Sequence, residues 1–553
     1  MKDTTKSGLR QAAAIAVAAC LTIGMGGTAL ADQLKPATQT FVAKVTGDPT
    51  ITQIRASVPS LSVRSVRAIG DGLASVTVSS RTTSAAQAQA LDASPLVAAA
   101  TPDRRFTAAG TPSPISGVAP WYSEQWDLWD SASARRAGGY GVDAPRAWTK
   151  TYGSPSVVVA VLDTGITPHP DLAGVSRAPG YDFVSATNGV LTGDGDGWDG
   201  DPSDPGDACP ELDQPSDWHG TFVTGEIAAQ RDRSGVVGEA PGITIEPVRV
   251  LGGCGGTEAD TIAALEWASG GAVDGVPANQ RPAQVISMSL GTDAGDCSDA
   301  LQTAVDDAIQ RGSVVVAAAG NDGTSMADTS PANCAGVVSV AATTRSGALA
   351  SYSNRGTADL SPWISAPGGS DANPIVGDVW TSKGAFTAPG NRPAIGTDQG
   401  TSMATPRVAA AIALLLSVRP GLDPATVMQR LSSTATPFPA GSGCDDTTCG
   451  AGIVNAGDLV GAKRALMQVR SVTVSGSAAV GKRLTASAGT WRPASVAVRY
   501  RWLRDGKPIR GATARRYVLK RADAGHRVAV RLQAGNASTL TATATSAARR
   551  IAH

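Results

Sequence analysis

Histidine and aromatic residues are scarce in this chain: four of its 553 residues are His, and Phe, Trp and Tyr together make 4%. With so few imidazoles, few places can carry acid–base chemistry near neutral pH. The seven cysteines include no C-x-x-C pair, which argues against a metal held through paired thiolates. After the first 31 residues no apolar run reads as long enough to span a bilayer, so no transmembrane segment is expected. No Gly-x-Ser-x-Gly elbow is present, and this argues against an esterase built on that motif. Charge is balanced overall, with 47 Lys and Arg against 47 Asp and Glu. At roughly 150 residues per domain the length allows several domains and at least one large core.

What is there divides the chain. Lys2, Lys6 and Arg10 precede an apolar run from Ala12 to Ile23 and the small residues Ala29-Leu30-Ala31, so residues 1–31 read as a signal peptide. The protein is therefore expected to be secreted and extracellular, a monomer, where Cys209, Cys254, Cys297, Cys334, Cys444 and Cys449 form an even set for disulfides. Fifteen pairings are open, though Cys444 and Cys449 are near enough to clip one local loop. Residues 32–120 hold short strands (Gln39–Val45, Leu73–Ser79), a helix (Ser84–Leu91) and the Pro-, Gly- and Ser-rich stretch Pro112–Pro120. They read as a small α+β pro-segment with a processing linker.

Between residues 121 and 465 buried strand-like runs alternate with helical ones, the pattern of an α/β domain with a parallel sheet flanked by helices. The expected strands are Ser156–Leu162, Thr244–Val250, Gln284–Met288, Ser313–Ala319 and Val337–Ala341. The expected helices are His219–Gln230, Glu258–Ala268, Asp299–Arg311 and Thr405–Val418. In such sheets function collects at the carboxyl ends of strands. Asp163 ends the first strand, His219 opens a helix, and Ser402 lies among small residues just before the apolar run Val408–Leu416.

Val161-Leu162-Asp163-Thr164-Gly165-Ile166, His219-Gly220-Thr221 and Gly400-Thr401-Ser402-Met403-Ala404-Thr405-Pro406 together resemble the subtilisin-like serine peptidases, or subtilases, in motif and in the order Asp, His, Ser. A fourth motif, Ala318-Ala319-Gly320-Asn321, matches that family's oxyanion-hole segment. The resemblance implies a serine endopeptidase of broad specificity acting on protein or peptide substrates, with Ser402 as nucleophile, His219 as base and Asp163 orienting it. It implies extended-substrate binding at Ser289, Leu290, Gly291, Gly252 and Gly253, and an S1 pocket that adds Ala318, Ala319, Gly320 and the segment before Pro331. Those stretches hold no carboxylate, so an apolar or aromatic P1 residue is expected. It also favours structural Ca²⁺ at Asp199, Asp201, Asp204 and Asp207 in the acidic loop, and disulfides Cys209–Cys254 and Cys297–Cys334. Gly323-Thr324-Ser325-Met326-Ala327 repeats the nucleophile letters but runs into a loop, so Ser325 is set aside.

From Arg470 to His553 there are seventeen Lys and Arg against two Asp. Short alternating strands with Gly and Pro turns read as a β-sandwich that resembles the immunoglobulin-like repeats of secreted bacterial proteins. Its charge suits an anionic cell-surface polymer and cell-wall association, whereas nucleic acid is not expected. A catalytically silent surface-binding protein using this domain is the alternative to the peptidase.

Overall fold

The computed structural model describes residues 37–553 apart from 48, 109–112, 116–120, 130–138, 196, 233, 293–294, 358–359, 361–362, 465–466, 493–495, 537 and 553. The expected signal peptide and most of the Pro112–Pro120 linker lie outside the described residues. The chain forms two compact units, one ending at Ala68 and resuming over Gly72–Asp103, the other comprising Ile69–Asp71 and everything from Arg104.

In the first unit a four-stranded sheet has the order Ser62–Gly70, Leu73–Ser80, Ala37–Val45, Val97–Pro102. Thr50 and Gln53 form a capping box that starts the helix Ile51–Ser57, and Thr83 caps Ser84–Asp92. Phe41, Ile54, Val76, Val78 and Leu91 are fully buried at the centre of this unit's core.

The second unit is built on a parallel sheet in the order Ile364–Pro367, Val338–Thr343, Val314–Ala318, Val285–Met288, Val158–Asp163, Thr244–Arg249, Ser176–Arg177, with Tyr181–Asp182 also on Thr244–Arg249. Its main strands are buried at every position, and their Val- and Ile-rich runs lack the alternation of a half-exposed sheet. The expected strands are present with ends shifted by one or two residues, and Ile364–Pro367 extends the sheet beyond them. The first strand, Val158–Asp163, lies inside the sheet. The chain leaves it for Thr244–Arg249 on one side and continues to Val285–Met288 on the other, which opens a crevice at the carboxyl ends.

The helix Thr401–Val418 packs against five strands of this sheet. Residues 401–416 are all buried, and the apolar residues surround the helix rather than forming one stripe. It starts four residues before the expected Thr405. Counted from Thr401 it is long and apolar enough to cross a membrane, which corrects the sequence reading, but 89% of that window is buried inside protein. Glu258–Ala268 and Asp299–Gln310 pack on each other, and Ser298 caps the second. The carboxyl-terminal strands form antiparallel sheets, Thr473–Ser475/Arg483–Ser487/Arg516–Val518 and Lys507–Pro508/Ala497–Arg504/Arg527–Gly535/Ala542–Thr545. Both contribute to one core around Trp502, Leu484, Tyr517, Val530 and Leu532, a sandwich arrangement.

Candidate active site

Asp163, His219, Ser402 and Asn321 come from four separate elements. Asp163 is the last residue of the central strand and is fully buried; its Oδ1 lies 2.8 Å from His219 Nδ1 and also accepts the Thr164 N–H. His219 opens the helix His219–Ala228 directly after Trp218, whose φ of 64° is uncommon for a bulky residue. Such a conformation costs about 1–3 kcal/mol and persists only when the surroundings enforce it. Here the buried indole donates to the Ser382 carbonyl at 3.0 Å, while Asp217 Oδ1 accepts the His219 N–H at 3.1 Å. Burial opposes the imidazolium, but the Asp163 charge and hydrogen bond, with Asp398 and Asp207 behind them, outweigh it and hold the His219 pKa above its ordinary value.

Ser402 is the second residue of its helix, where backbone N–H groups lack intrahelical partners. The N-cap is Gly400, which has no side chain; the acceptor comes instead from Asn321, whose Oδ1 takes both the Thr401 N–H and its hydroxyl at 2.9 Å. This bond turns the amide oxygen of Asn321 toward the helix and the amide nitrogen away from it. Pro406, within the helix, has no N–H for the Ser402 carbonyl four residues back. The Ser289 hydroxyl supplies that bond at 2.9 Å, and the Ser402 hydroxyl donates to the Ser289 carbonyl at 2.9 Å. His219 Nε2 makes no hydrogen bond among the described residues, so the serine and the imidazole are not joined in this structure.

The extended segment Arg105–Ala108 runs antiparallel to Gly256–Thr257 on one side and to Leu290–Gly291 on the other, with Thr107 opposite Gly291 and Ala108 opposite Leu290. The pairing edge expected at Gly252–Gly253 thus lies at Gly256–Thr257. Gly253 is bonded through both its backbone groups to Leu191, while Gly252 lines a recess beside Arg105, Thr107 and Ala108 of the extended segment, with Asp207 and Asp217. A cleft of about 520 Å³ adjoins the segment, lined by Leu290, Gly291, Ala318, Gly320, Asn321 and Thr329. Ala319 packs with Met326 and Ala332 instead. The lining also includes Asp322 and Asp398, carboxylates that the stretches read from the sequence did not contain. Ser325 caps a single turn, its hydroxyl accepting the Ala327 N–H at 3.1 Å, with no helix behind it.

The four aspartates expected to hold calcium do not converge. Asp199 Oδ1 accepts the Asp201 N–H at 2.7 Å, Asp201 Oδ1 the Ser203 N–H at 3.1 Å, and Asp207 Oδ1 the Asp217 N–H at 3.1 Å. Asp204 accepts from Gly206 N–H and from the Thr164 hydroxyl, both at 2.8 Å. Each carboxylate serves a nearby donor, the Asx-turn use of aspartate in most of them, and no three of the four bring ligand atoms close together. Among the described residues the one close cluster of three candidate ligand atoms is His169, Asp171 and Asp378, which shares no residue with that set. Thr164 was not foreseen from sequence; its hydroxyl also accepts the Gly220 N–H at 3.0 Å and so ties the Asp163 loop to the His219 helix. Burial, with the Asp207 charge next, pushes Asp204 up to about 8 and Asp217 well above the usual carboxylate range. Disulfides join Cys209 to Cys254, Cys297 to Cys334 and Cys444 to Cys449.

A parallel-sheet α/β domain that carries Asp, His and Ser at the carboxyl edge of the sheet is the subtilisin-like class. The chain belongs to the subtilase family, peptidase S8, whose profile matches residues 154–452 and so spans all four residues above. An "Extracellular protease" of Xanthomonas campestris pv. campestris is 45% identical over 343 residues, 60% of this chain and 55% of that protein. An "Extracellular basic protease" of Dichelobacter nodosus is 38% identical over 360 residues, 62% of this chain and 55% of the relative. The chain thus spans about half the length of these curated relatives. Among solved structures a protease of Pseudoalteromonas arctica matches with a TM-score of 0.56 and 40% identity over 63% of this chain and 99% of its own. Fervidolysin of Fervidobacterium pennivorans shares the fold at 22% identity, with a TM-score of 0.56 over 90% of this chain and 71% of its own.

Proposed function

We propose that the protein is a secreted serine endopeptidase. The observation that carries this reading is the 2.8 Å Asp163–His219 hydrogen bond at the carboxyl edge of the sheet, beside Ser402 on a helix N-terminus held by Asn321. The Ser402 hydroxyl turns from the Ser289 carbonyl to His219 Nε2, which takes its proton as Oγ attacks the substrate carbonyl. Asp163 keeps the proton on Nδ1 and stabilises the imidazolium without accepting it. The Asn321 amide and the Ser402 N–H donate to the oxyanion as it forms. His219 then protonates the leaving amine, and the remaining acyl-enzyme is hydrolysed when His219 draws a proton from water. No step requires calcium.

Substrate binds as an extended strand, for which Arg105–Ala108 is the template. This segment leads into the processing linker Pro112–Pro120, where the pro-segment is cut. Phe106 in this segment is fully buried, so extended peptides with a large apolar side chain at its position are favoured. Specificity at the cleaved residue is broad, with Asp322 and Asp398 admitting basic residues to the cleft as well as apolar ones. Outside the peptidase unit, the basic C-terminal sandwich holds an anionic cell-surface polymer by charge.

Fluorophosphonate labelling of the processed protein, with Ser402→Ala as control, tests the reading. Labelling that depends on Ser402, with a mature N-terminus downstream of Arg105–Ala108, is expected. Absence of labelling in processed protein refutes the peptidase and favours a silent binding protein.

A further inference from the structure

One sheet face of the C-terminal sandwich gathers three of its seventeen basic residues. Ala497–Arg504 and Arg527–Gly535 pair so that Arg501 stands directly opposite Arg531, and Arg499 opposite Gln533. Because side chains alternate along a strand, Val498, Tyr500, Trp502, Val530 and Leu532 turn to the core while Arg499, Arg501, Arg531 and Gln533 face out. The next strand continues the outer face with Thr543 opposite Gln533 and Thr545 opposite Arg531. A shallow groove of about 570 Å³ runs along it, lined by the three arginines with Gln533, Thr513 and Thr543, and by Tyr500 between two of the arginines.

Like charges placed directly across two strands destabilise a sheet. This domain could have relieved them with its two acids, yet both face elsewhere. Asp523 binds Arg504 and the Tyr517 hydroxyl, and Asp505 binds His526 and the Arg527 N–H. Among the described residues none of the three arginines has an ion-pair partner. Their α-carbons are roughly 5 Å apart across the strands and 7 Å along one, a row suited to anions repeated along a chain. Guanidinium forks flanked by neutral hydroxyl and amide groups match phosphate oxygens in geometry and charge. Among the described residues the one aromatic residue lining the groove is Tyr500, which is half-buried against the core.

We propose that Arg499, Arg501 and Arg531 form a binding face for a flexible linear phosphodiester polymer of the poly(glycerol phosphate) type. This deepens the reading of the sandwich as an anion-binding domain and does not depend on the peptidase.

The test is fluorescence anisotropy of labelled poly(glycerol phosphate) with the full chain over a range of salt concentrations. It compares wild type with R499Q/R501Q/R531Q and with R483Q/R510Q/R516Q, which removes equal charge elsewhere in the domain. At about 0.7 released counterions per contact, the face variant should lower the slope of log K against log salt by about 2, and the control variant by much less. Its melting temperature should equal or exceed that of wild type, since the facing charges are gone. Equal losses in both variants would refute the face but leave general attraction to the basic domain, whereas no binding by wild type would refute both. A lower melting temperature in the face variant would make the arginines structural and overturn the proposal. Tighter binding of a polyuronate or of double-stranded DNA than of poly(glycerol phosphate) would overturn the choice of ligand.

Discussion

Arg407 offers the most searching test of how the site is held together. It lies five residues after Ser402 on the same helix and is fully buried. One terminal nitrogen donates to the Glu226 carbonyl at 2.8 Å, on the helix that begins with His219. The other lies 2.5 Å from Asp127 Oδ2 and 3.3 Å from Glu226 Oε1. Burial pushes Asp127, Glu226 and Glu239 above the usual carboxylate range, and Arg407 pulls each of them back. Replacing Arg407 by Leu removes the cation that opposes all three carboxylates and unties the Ser402 helix from the His219 helix. Breaking a buried pair in this way costs about 3–5 kcal/mol, and for a unit this large the melting temperature should fall by roughly 3–6 °C. Without the arginine the three folded-state pKa values rise further. The carboxyls are then protonated and tolerated at low pH, and stability is lost as pH rises from the ordinary carboxylate range through the raised folded values. The deficit of R407L should therefore be smaller at pH about 5 than at pH about 8. Fluorophosphonate labelling of Ser402 should also slow, since a displacement of about 1 Å between nucleophile and base can cost 10²-fold. Thermal melts at the two pH values and labelling rates check both effects. A loss below about 1 kcal/mol, or one that grows toward low pH, would refute this account of the network.

Four other outcomes follow from the same structure. Asn321→Ala should lower kcat by about 10²–10³ with KM little changed, because the donor acts on the oxyanion; steady-state kinetics decide it. Asp163→Asn should reduce kcat by about 10⁴. Because Asp163 raises the His219 pKa, the acid limb of the residual kcat/KM profile should also move to lower pH, where the imidazole is now neutral. Opening Cys209–Cys254 by C209S/C254S frees a loop with a sequence separation of 45 residues and should cost about 4 kcal/mol in denaturant unfolding. Ser325→Ala should leave peptide hydrolysis within about twofold of wild type, since it alters only a surface turn.

The elements most legible in the sequence were those whose burial is uniform. Val158–Asp163 and Val314–Ala318 need no alternation to be read as strands, because a covered parallel sheet has none. Glu258–Ala268 was likewise read with its observed ends, capped by Thr257 immediately before it. The start of the serine helix was not legible, because its cap is Asn321, eighty positions away, and because a carbonyl left without a partner by Pro406 is served by Ser289. In the acidic loop, spacing places carboxylates near one another in the chain, but which of their oxygens take neighbouring N–H groups is decided by the turns of the fold.

By itself, then, the sequence determined the strands of the sheet, the positions of Asp163, His219, Ser402 and Asn321 at its carboxyl edge, and the excess of positive charge after Arg470. These are properties of local pattern and composition. Tertiary structure alone decided which backbone edges take an extended segment, that Asp322 and Asp398 reach the cleft, that Arg407 ties two helices together, and that three arginines share one face. Each of these depends on strand register or on contacts between residues distant in the chain, and chain order does not fix such distances.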